Sequence, residues 1–293
     1  MSLPVQRLAI IGIGLIGSSI ARVAREKGLA RAIVCSDASA EARADALALG
    51  IVDAAEADPA VAVVGADLVI LCTPIGTYRA LATAIAPALA PGAILSDVGS
   101  VKQAAIAAVA PHVPPGVHFI PGHPVAGTEH SGPKSGFASL FDGRWCILTP
   151  LEGTDQAALA RLEAFWQGAG SNLATMTPLH HDRVLAITSH LPHLIAYTIV
   201  GTAADLEEHL QAEVIQYSAG GFRDFTRIAG SDPVMWRDVF LTNREAVLEM
   251  LGRLHEDIAL MQRAIRIGDG KTLEDLFTRT RAIRRGVLAA KQA

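Results

Sequence analysis

The hydrophobic pattern changes once along the chain. Up to about residue 177, short apolar runs alternate with alanine-rich helical runs, the order expected of an α/β fold on a parallel sheet. Arg7–Ile13, Ala32–Ser36, Asp67–Thr73, Ala93–Val98, Val117–Ile120 and Trp145–Thr149 read as strands, with Ser18–Lys27 and Ala40–Leu49 as helices between them. The strand runs do not alternate apolar with polar residues, so both faces of the sheet should be covered.

After Pro178 strand-like runs stop and long helical patterns take over. Val247, Leu251, Leu254, Ile258, Met261 and Ile265 recur at spacings of 4, 3, 4, 3 and 4, a heptad-like stripe within Asn243–Ile267. Such a stripe serves either one face of an intramolecular bundle or a seam between two chains. Gly268-Asp269-Gly270 should end that helix, with Thr272 and Asp275 capping a restart. Val184–Ala204 is 21 residues without Asp, Glu, Lys or Arg, long enough to span a bilayer. His190, Pro192 and His193 inside it suit a buried core helix better. The change of period alone sets two domains, 1–177 and 178–293.

Composition narrows the class. The chain is 51% hydrophobic and 18% charged, which excludes a disordered protein. A net charge of -4 argues against a nucleic-acid binder or a polybasic membrane-surface protein. Cys35, Cys72 and Cys146 are far apart and form no C-x-x-C pair, as in a reduced, cytoplasmic compartment. The first residues run directly into a strand, without the pattern of a signal peptide.

Gly12-Ile13-Gly14-Leu15-Ile16-Gly17 is a G-x-G-x-x-G between a strand and a helix, and Asp37 follows Gly17 by 20 residues. That context makes the motif a dinucleotide signature. Gly12 permits the turn, Gly14 lets backbone approach a pyrophosphate, and Gly17 lets helix and strand pack closely. The helix start at Leu15 and Ile16 offers amide donors to the phosphates. Asp37 would bond a ribose 2′-hydroxyl and repel a 2′-phosphate, and Ala38-Ser39-Ala40 offer no arginine, so NAD is expected rather than NADP. Thr73, ending the third strand run, falls on the same side.

His123 lies in Ile120–Glu129, on a loop just past the strand Val117–Ile120, where open parallel sheets bind ligands. Histidine there suits acid/base work near neutral pH. Ser100 is both an expected N-cap for a helix over Val101–Ala110 and a hydroxyl at the same crevice. His190 and His193 lack the carboxylate or cysteine that a metal site would need, so no metal is expected. Arg223 and Arg227, in Gly220–Ile228, imply an anionic ligand, because guanidinium binds carboxylates by paired hydrogen bonds. No lysine occurs between Lys134 and Lys271, which leaves proton chemistry at the crevice to histidine.

Together these blocks resemble the prephenate/arogenate dehydrogenase family of tyrosine biosynthesis. The likeness rests on residues 12–17, 96–102, 122–129, 189–193 and 220–229, then Ser-Asp-Pro-Val-Met-Trp-Arg-Asp at 231–238, and covers nearly the whole chain. It implies a Rossmann-like doubly wound parallel sheet followed by an all-α helical dimerisation domain, in a homodimer. It also implies NAD-dependent oxidative decarboxylation of prephenate, arogenate or both. By the resemblance, His123 takes the C4 hydroxyl proton, Ser100 bonds that hydroxyl and helps orient the nicotinamide, and Arg227 holds a substrate carboxylate. His193, Thr128 and Glu129 line the substrate side, and Arg223 reaches toward a neighbouring subunit. The length leaves room for no regulatory module, so any control by tyrosine should act at the active site. Competing readings are a β-hydroxyacid or pyrroline-carboxylate type dehydrogenase and an inactive NAD-binding sensor. The missing helical-domain lysine weighs against the hydroxyacid type, and intact His123, Ser100 and Arg227 weigh against the sensor.

Overall fold

Six strands form a parallel sheet in the order β3-β2-β1-β4-β5-β6: β1 (Val5–Ile11), β2 (Ala30–Ser36), β3 (Ala54–Glu56), β4 (Leu68–Leu71), β5 (Ile94–Asp97) and β6 (His118–Phe119). The computed structural model describes residues 5–205, 213 and 220–289. Successive side chains of a strand face opposite sides of a sheet. Leu8 and Ile10 accordingly enter one core with Ile20, Ile33, Phe141 and Trp166, while Ala9 and Ile11 enter another with Val34, Leu71 and Tyr78. Both faces are covered, which is why Leu8–Ile11, Ile33–Cys35 and Leu68–Leu71 are apolar without alternation.

The connecting helices are α1 (Leu15–Glu26), α2 (Ala40–Ala48), α3 (Pro59–Ala62), α4 (Tyr78–Ile85) and α5 (Lys102–Val109). Strand order reverses between β1 and β4, and the crevice beyond the carboxyl ends of those strands is where such sheets bind ligands.

Trp145–Thr149 departs from the expected sheet. β8 (Trp145–Leu148) pairs antiparallel with β7 (Gly122–Pro124) and parallel with β9 (Asn172–Thr175), in a separate three-stranded sheet. His123 therefore sits on a strand opposite Ile147, not on a loop. Pro121 has no N–H to extend the ladder of β6, so the chain leaves the first sheet there and re-enters as β7. Three-residue β7 and half-exposed β9 carry too little apolar pattern to be read as strands. α6 (Gln156–Gly168) joins β8 to β9.

Helices follow: α7 (Pro178–Leu185), a π-helical turn (Ala186–His190), α8 (Leu191–Ala204), α9 (Gly220–Thr226) and α10 (Pro233–Thr242). Pro192 in the first turn of α8 lacks the amide that would continue α7, and the π turn takes up the mismatch. The apolar stretch Pro178–Ala204 is long enough to cross a membrane by length and composition, and 28% of its most apolar window is buried. Leu191 and Ala196 are buried, but Ile187, Ile199 and Val200 are exposed. The expected buried core helix is thus only partly covered within one chain.

The chain divides into two compact units, Met1–Asn243 and Arg244–Ala293, and the second is made of α11 (Arg244–Ile267) and α12 (Gly270–Ala289). Along the heptad-like stripe Val247 is buried, whereas Ile258 and Ile265 are 49% and 67% exposed. Asp269, rather than Thr272, caps α12: its carboxylate accepts from the Thr272 amide (3.0 Å) and hydroxyl (2.7 Å), and Asp275 instead pairs with Lys271.

Candidate active site

The glycine loop has the geometry its spacing predicts. Gly12 has φ +97°, and a Cβ there would lie 2.7 Å from Thr73 Cγ2 and 2.9 Å from the Cys72 carbonyl carbon. This places Thr73 against the loop, with its hydroxyl 2.7 Å from that of Thr77. A Cβ on Gly17 would lie 2.0 Å from the Gly12 carbonyl oxygen. A Cβ on Gly14 would meet nothing within 4 Å, and no side chain caps the first turn of α1. Asp37 is fixed by accepting from the Ile13 amide (2.9 Å) and the Ser39 amide (2.9 Å). It lines a cavity of about 460 Å³ with Ile13, Gly14, Ser39, Glu41, Asp45 and Lys134. An open helix start above a tight glycine turn, next to an acid-lined cavity, fits a dinucleotide with an unphosphorylated ribose.

The second centre is a buried polar chain. Asp182 on α7 accepts from the amides of Lys102 (2.7 Å) and Gln103 (2.9 Å), so it caps α5 from outside the sheet. Helix α5 begins at Lys102, and Ser100 is not its N-cap. The same carboxylate is 2.8 Å from His181 Nδ1, and His181 Nε2 is 2.9 Å from His123 Nδ1. A carboxylate can only accept, so His181 carries its proton on Nδ1 and accepts through Nε2. His123 then donates through Nδ1 and keeps a lone pair on Nε2. All three residues are buried. Burial pushes the His123 imidazole well below its ordinary value, helped by His181, Lys102 and His190. Burial raises the Asp182 carboxyl, but bonds from His181, Gln103 and Lys102 outweigh it and hold the group below its usual range.

Lys102 is fully buried and ties the two sheets together. Its ammonium donates to Asp97 at the end of β5 and to the Gly122 carbonyl on β7, while Asp97 accepts from the Gly99 amide (2.8 Å) and the Gly122 amide (3.2 Å). These bonds set the position of the strand that carries His123. The buried cluster around His123 thus holds a lysine as well as histidines. The lysine comes from the sheet domain, where the expectation had looked only to the helical one. It is the single charge in an otherwise uncharged helical run, Val101–Ala110, and that contrast was its available signal.

Asn243 donates to the Asp182 carbonyl (2.9 Å) and faces His190 Nδ1 (3.1 Å). The His190 ring also meets the Ser100 backbone, and burial pulls its pKa down to about 4. His193 stacks on Trp236 at 3.7 Å and donates to the Ser189 carbonyl (2.9 Å). Burial lowers its pKa, with Ser189 opposing and Arg227 adding to the fall. Arg227 and Glu129 form an ion pair of 2.8 Å, which brings the loop after β7 together with the turn after α9. Thr128 is exposed beside Glu129, and Arg223 is exposed on α9. His181, Asp182 and Asn243 lie outside every block that the sequence marked, and Trp236 lies within 231–238 with no pattern of its own to single it out.

Comparison with known proteins bears on this arrangement. A model described as the prephenate dehydrogenase nucleotide-binding domain matches residues 20–175, and one described as the prephenate dehydrogenase dimerization domain matches residues 177–279. The chain is 40% identical over 279 residues to the cyclohexadienyl dehydrogenase of Zymomonas mobilis, covering 95% of each. Among solved structures, prephenate dehydrogenase from A. aeolicus, in complex with hydroxyphenyl propionate and NAD+, matches with a TM-score of 0.90 and 32% identity. That match covers 98% of this chain and 100% of the other. Synechocystis arogenate dehydrogenase matches with a TM-score of 0.80 and 28% identity, over 96% and 100%.

Proposed function

Since the chain belongs to the prephenate dehydrogenase family, we infer that it oxidatively decarboxylates prephenate, arogenate or both in tyrosine biosynthesis, with NAD+ as hydride acceptor. The products are 4-hydroxyphenylpyruvate and tyrosine, respectively. Bound over the glycine loop, NAD+ supplies the acceptor for the hydride leaving C4 of the substrate ring. The chain's own residues do the rest.

The observation that carries the mechanism is the hydrogen-bonded chain Asp182–His181–His123, which selects the His123 tautomer protonated on Nδ1. Its Nε2 lone pair accepts the C4 hydroxyl proton as that carbon becomes carbonyl-like. Loss of the ring carboxylate as CO2 and aromatisation then complete the step. Ser100, just before α5, bonds the same hydroxyl and helps orient the nicotinamide. Gly12, Gly14, Leu15, Ile16, Gly17, Asp37 and Thr73 hold the cofactor. Arg227 receives a substrate carboxylate, and its pairing with Glu129 keeps the guanidinium at the site when no substrate is there. His193, positioned by Trp236, and Thr128 line the substrate side.

Arg227→Ala is expected to raise KM by about 10- to 150-fold with a smaller change in kcat, the loss of a charge-assisted bond worth roughly 1.5–3 kcal/mol. An unchanged KM would place the carboxylate elsewhere. The reaction itself is tested by adding prephenate and arogenate, each with NAD+ and NADP+, to the purified chain and following reduced cofactor. No reduction with either substrate would end the reading.

Functionally the chain divides into a cofactor domain, residues 1–177, and a substrate-binding and dimerisation domain, residues 178–293. Exposed Ile199, Val200, Ile258 and Ile265 support a homodimer, since pairing would cover them. Arg223 would then reach toward the neighbouring subunit's site. The three free cysteines and the biosynthetic reaction agree with a cytoplasmic enzyme.

A further inference from the structure

The cavity beside Asp37 carries more charge than the glycine motif requires. Asp37, Glu41 and Asp45 line it together, and among the described residues lining it Lys134 is the one cation. Lys134 Nζ lies 2.8 Å from Asp45 Oδ2, one helical turn beyond Glu41. The lysine side chain is 68% exposed and the aspartate 22%.

The backbone around Lys134 is pinned. Arg22 donates to the Pro133 carbonyl (3.3 Å), and the Phe137 amide donates to Ser19 Oγ (3.1 Å). Gly136 sits so close to α1 that a Cβ there would lie 2.1 Å from Ser18 Oγ. The loop is thus a fixed wall of the cavity, and its long lysine side chain is engaged by Asp45. Arg43 is held on the backbone behind Asp37, donating to the Asp37 (2.6 Å) and Ala38 (3.2 Å) carbonyls, and it is not among the residues lining the cavity.

We propose that Asp45 determines cofactor selectivity by holding Lys134 out of reach of the ribose. The exclusion of a 2′-phosphate is then shared by Asp37, Glu41 and the Asp45–Lys134 pair. Three carboxylates against one engaged ammonium repel a dianionic group, and releasing the ammonium would reverse part of that field. The inference rests on the glycine loop being a dinucleotide site.

Calorimetric titration of the whole protein with NAD+ and with NADP+ tests it without relying on turnover. Asp45→Asn is expected to lower the ratio of the NADP+ to the NAD+ dissociation constant by about tenfold. Adding Lys134→Ala to that variant should return the ratio to the wild-type value, and Asp37→Ser with Asp45→Asn should lower it furthest. The Asp45→Asn effect should also shrink as salt rises. A ratio unmoved by Asp45→Asn, or one that stays low after Lys134→Ala is added, overturns the proposal. Wild-type protein that binds neither nucleotide overturns the dinucleotide reading, and the proposal falls with it.

Discussion

His123→Asn is expected to lower kcat by about 10²- to 10⁴-fold while KM changes little, the loss usual for a positioned general base. Asparagine keeps a polar side chain opposite His181 but has no lone-pair nitrogen at the Nε2 position. The pH profile of the wild type should carry the same signature. Burial, His181, Lys102 and His190 all keep the imidazole neutral, so its pKa lies well below 6.5. Activity should therefore hold as pH falls past 6.5 and decline only when His123 itself takes a proton. Stability moves earlier. His123, His181 and His190 all have folded pKa values below 6.5, so the unfolded chain binds protons first and stability falls as pH drops below that value. Measuring kcat separately from the melting temperature across pH 4 to 8 distinguishes the two. A kcat unchanged by His123→Asn would remove the base from the mechanism.

The parallel sheet and its cofactor loop were legible because each depends on local pattern. An apolar run without alternation means a strand covered on both sides, and a glycine that cannot carry a Cβ leaves its mark in spacing. Gly12, Gly17 and Asp37 all stand where that logic puts them. His123 was legible as a residue but not as a strand residue, because β7 is three residues long and its pairing with β8 spans some twenty positions. The polar chain behind it was not legible at all. Asp182 lies 80 residues from the helix it caps, and no window of sequence relates it to Lys102. The cap expected at Ser100 followed a sound local rule, but a carboxylate from another helix took the place. Likewise the apolar run in α8 is genuine. What it packs against within one chain is less than its composition suggested, and the homodimer proposed above would cover Ile199 and Val200.

Asp182→Ala should act on stability and catalysis together, because one carboxylate does both jobs. Losing the α5 cap and a buried bond to a charged group should cost about 2–4 kcal/mol, read as a lower melting temperature. Without an acceptor beside Nδ1, His181 no longer prefers the tautomer that accepts from His123. His123 in turn spends part of its time with a proton on Nε2, where the substrate needs a base. We expect kcat to fall by about 10- to 100-fold at temperatures where the variant remains folded, with a smaller effect on KM. His181→Leu separates the two roles. It leaves the carboxylate on the Lys102 and Gln103 amides but removes the relay, so kcat should fall as in Asp182→Ala while the melting temperature falls less. If Asp182→Ala lowers the melting temperature and the folded variant retains wild-type kcat, the carboxylate is a helix cap and nothing more. If His181→Leu also keeps wild-type kcat, His123 holds its orientation through β7 alone, and what positions the base is the Gly122 carbonyl accepting from Lys102 and the Gly122 amide donating to Asp97.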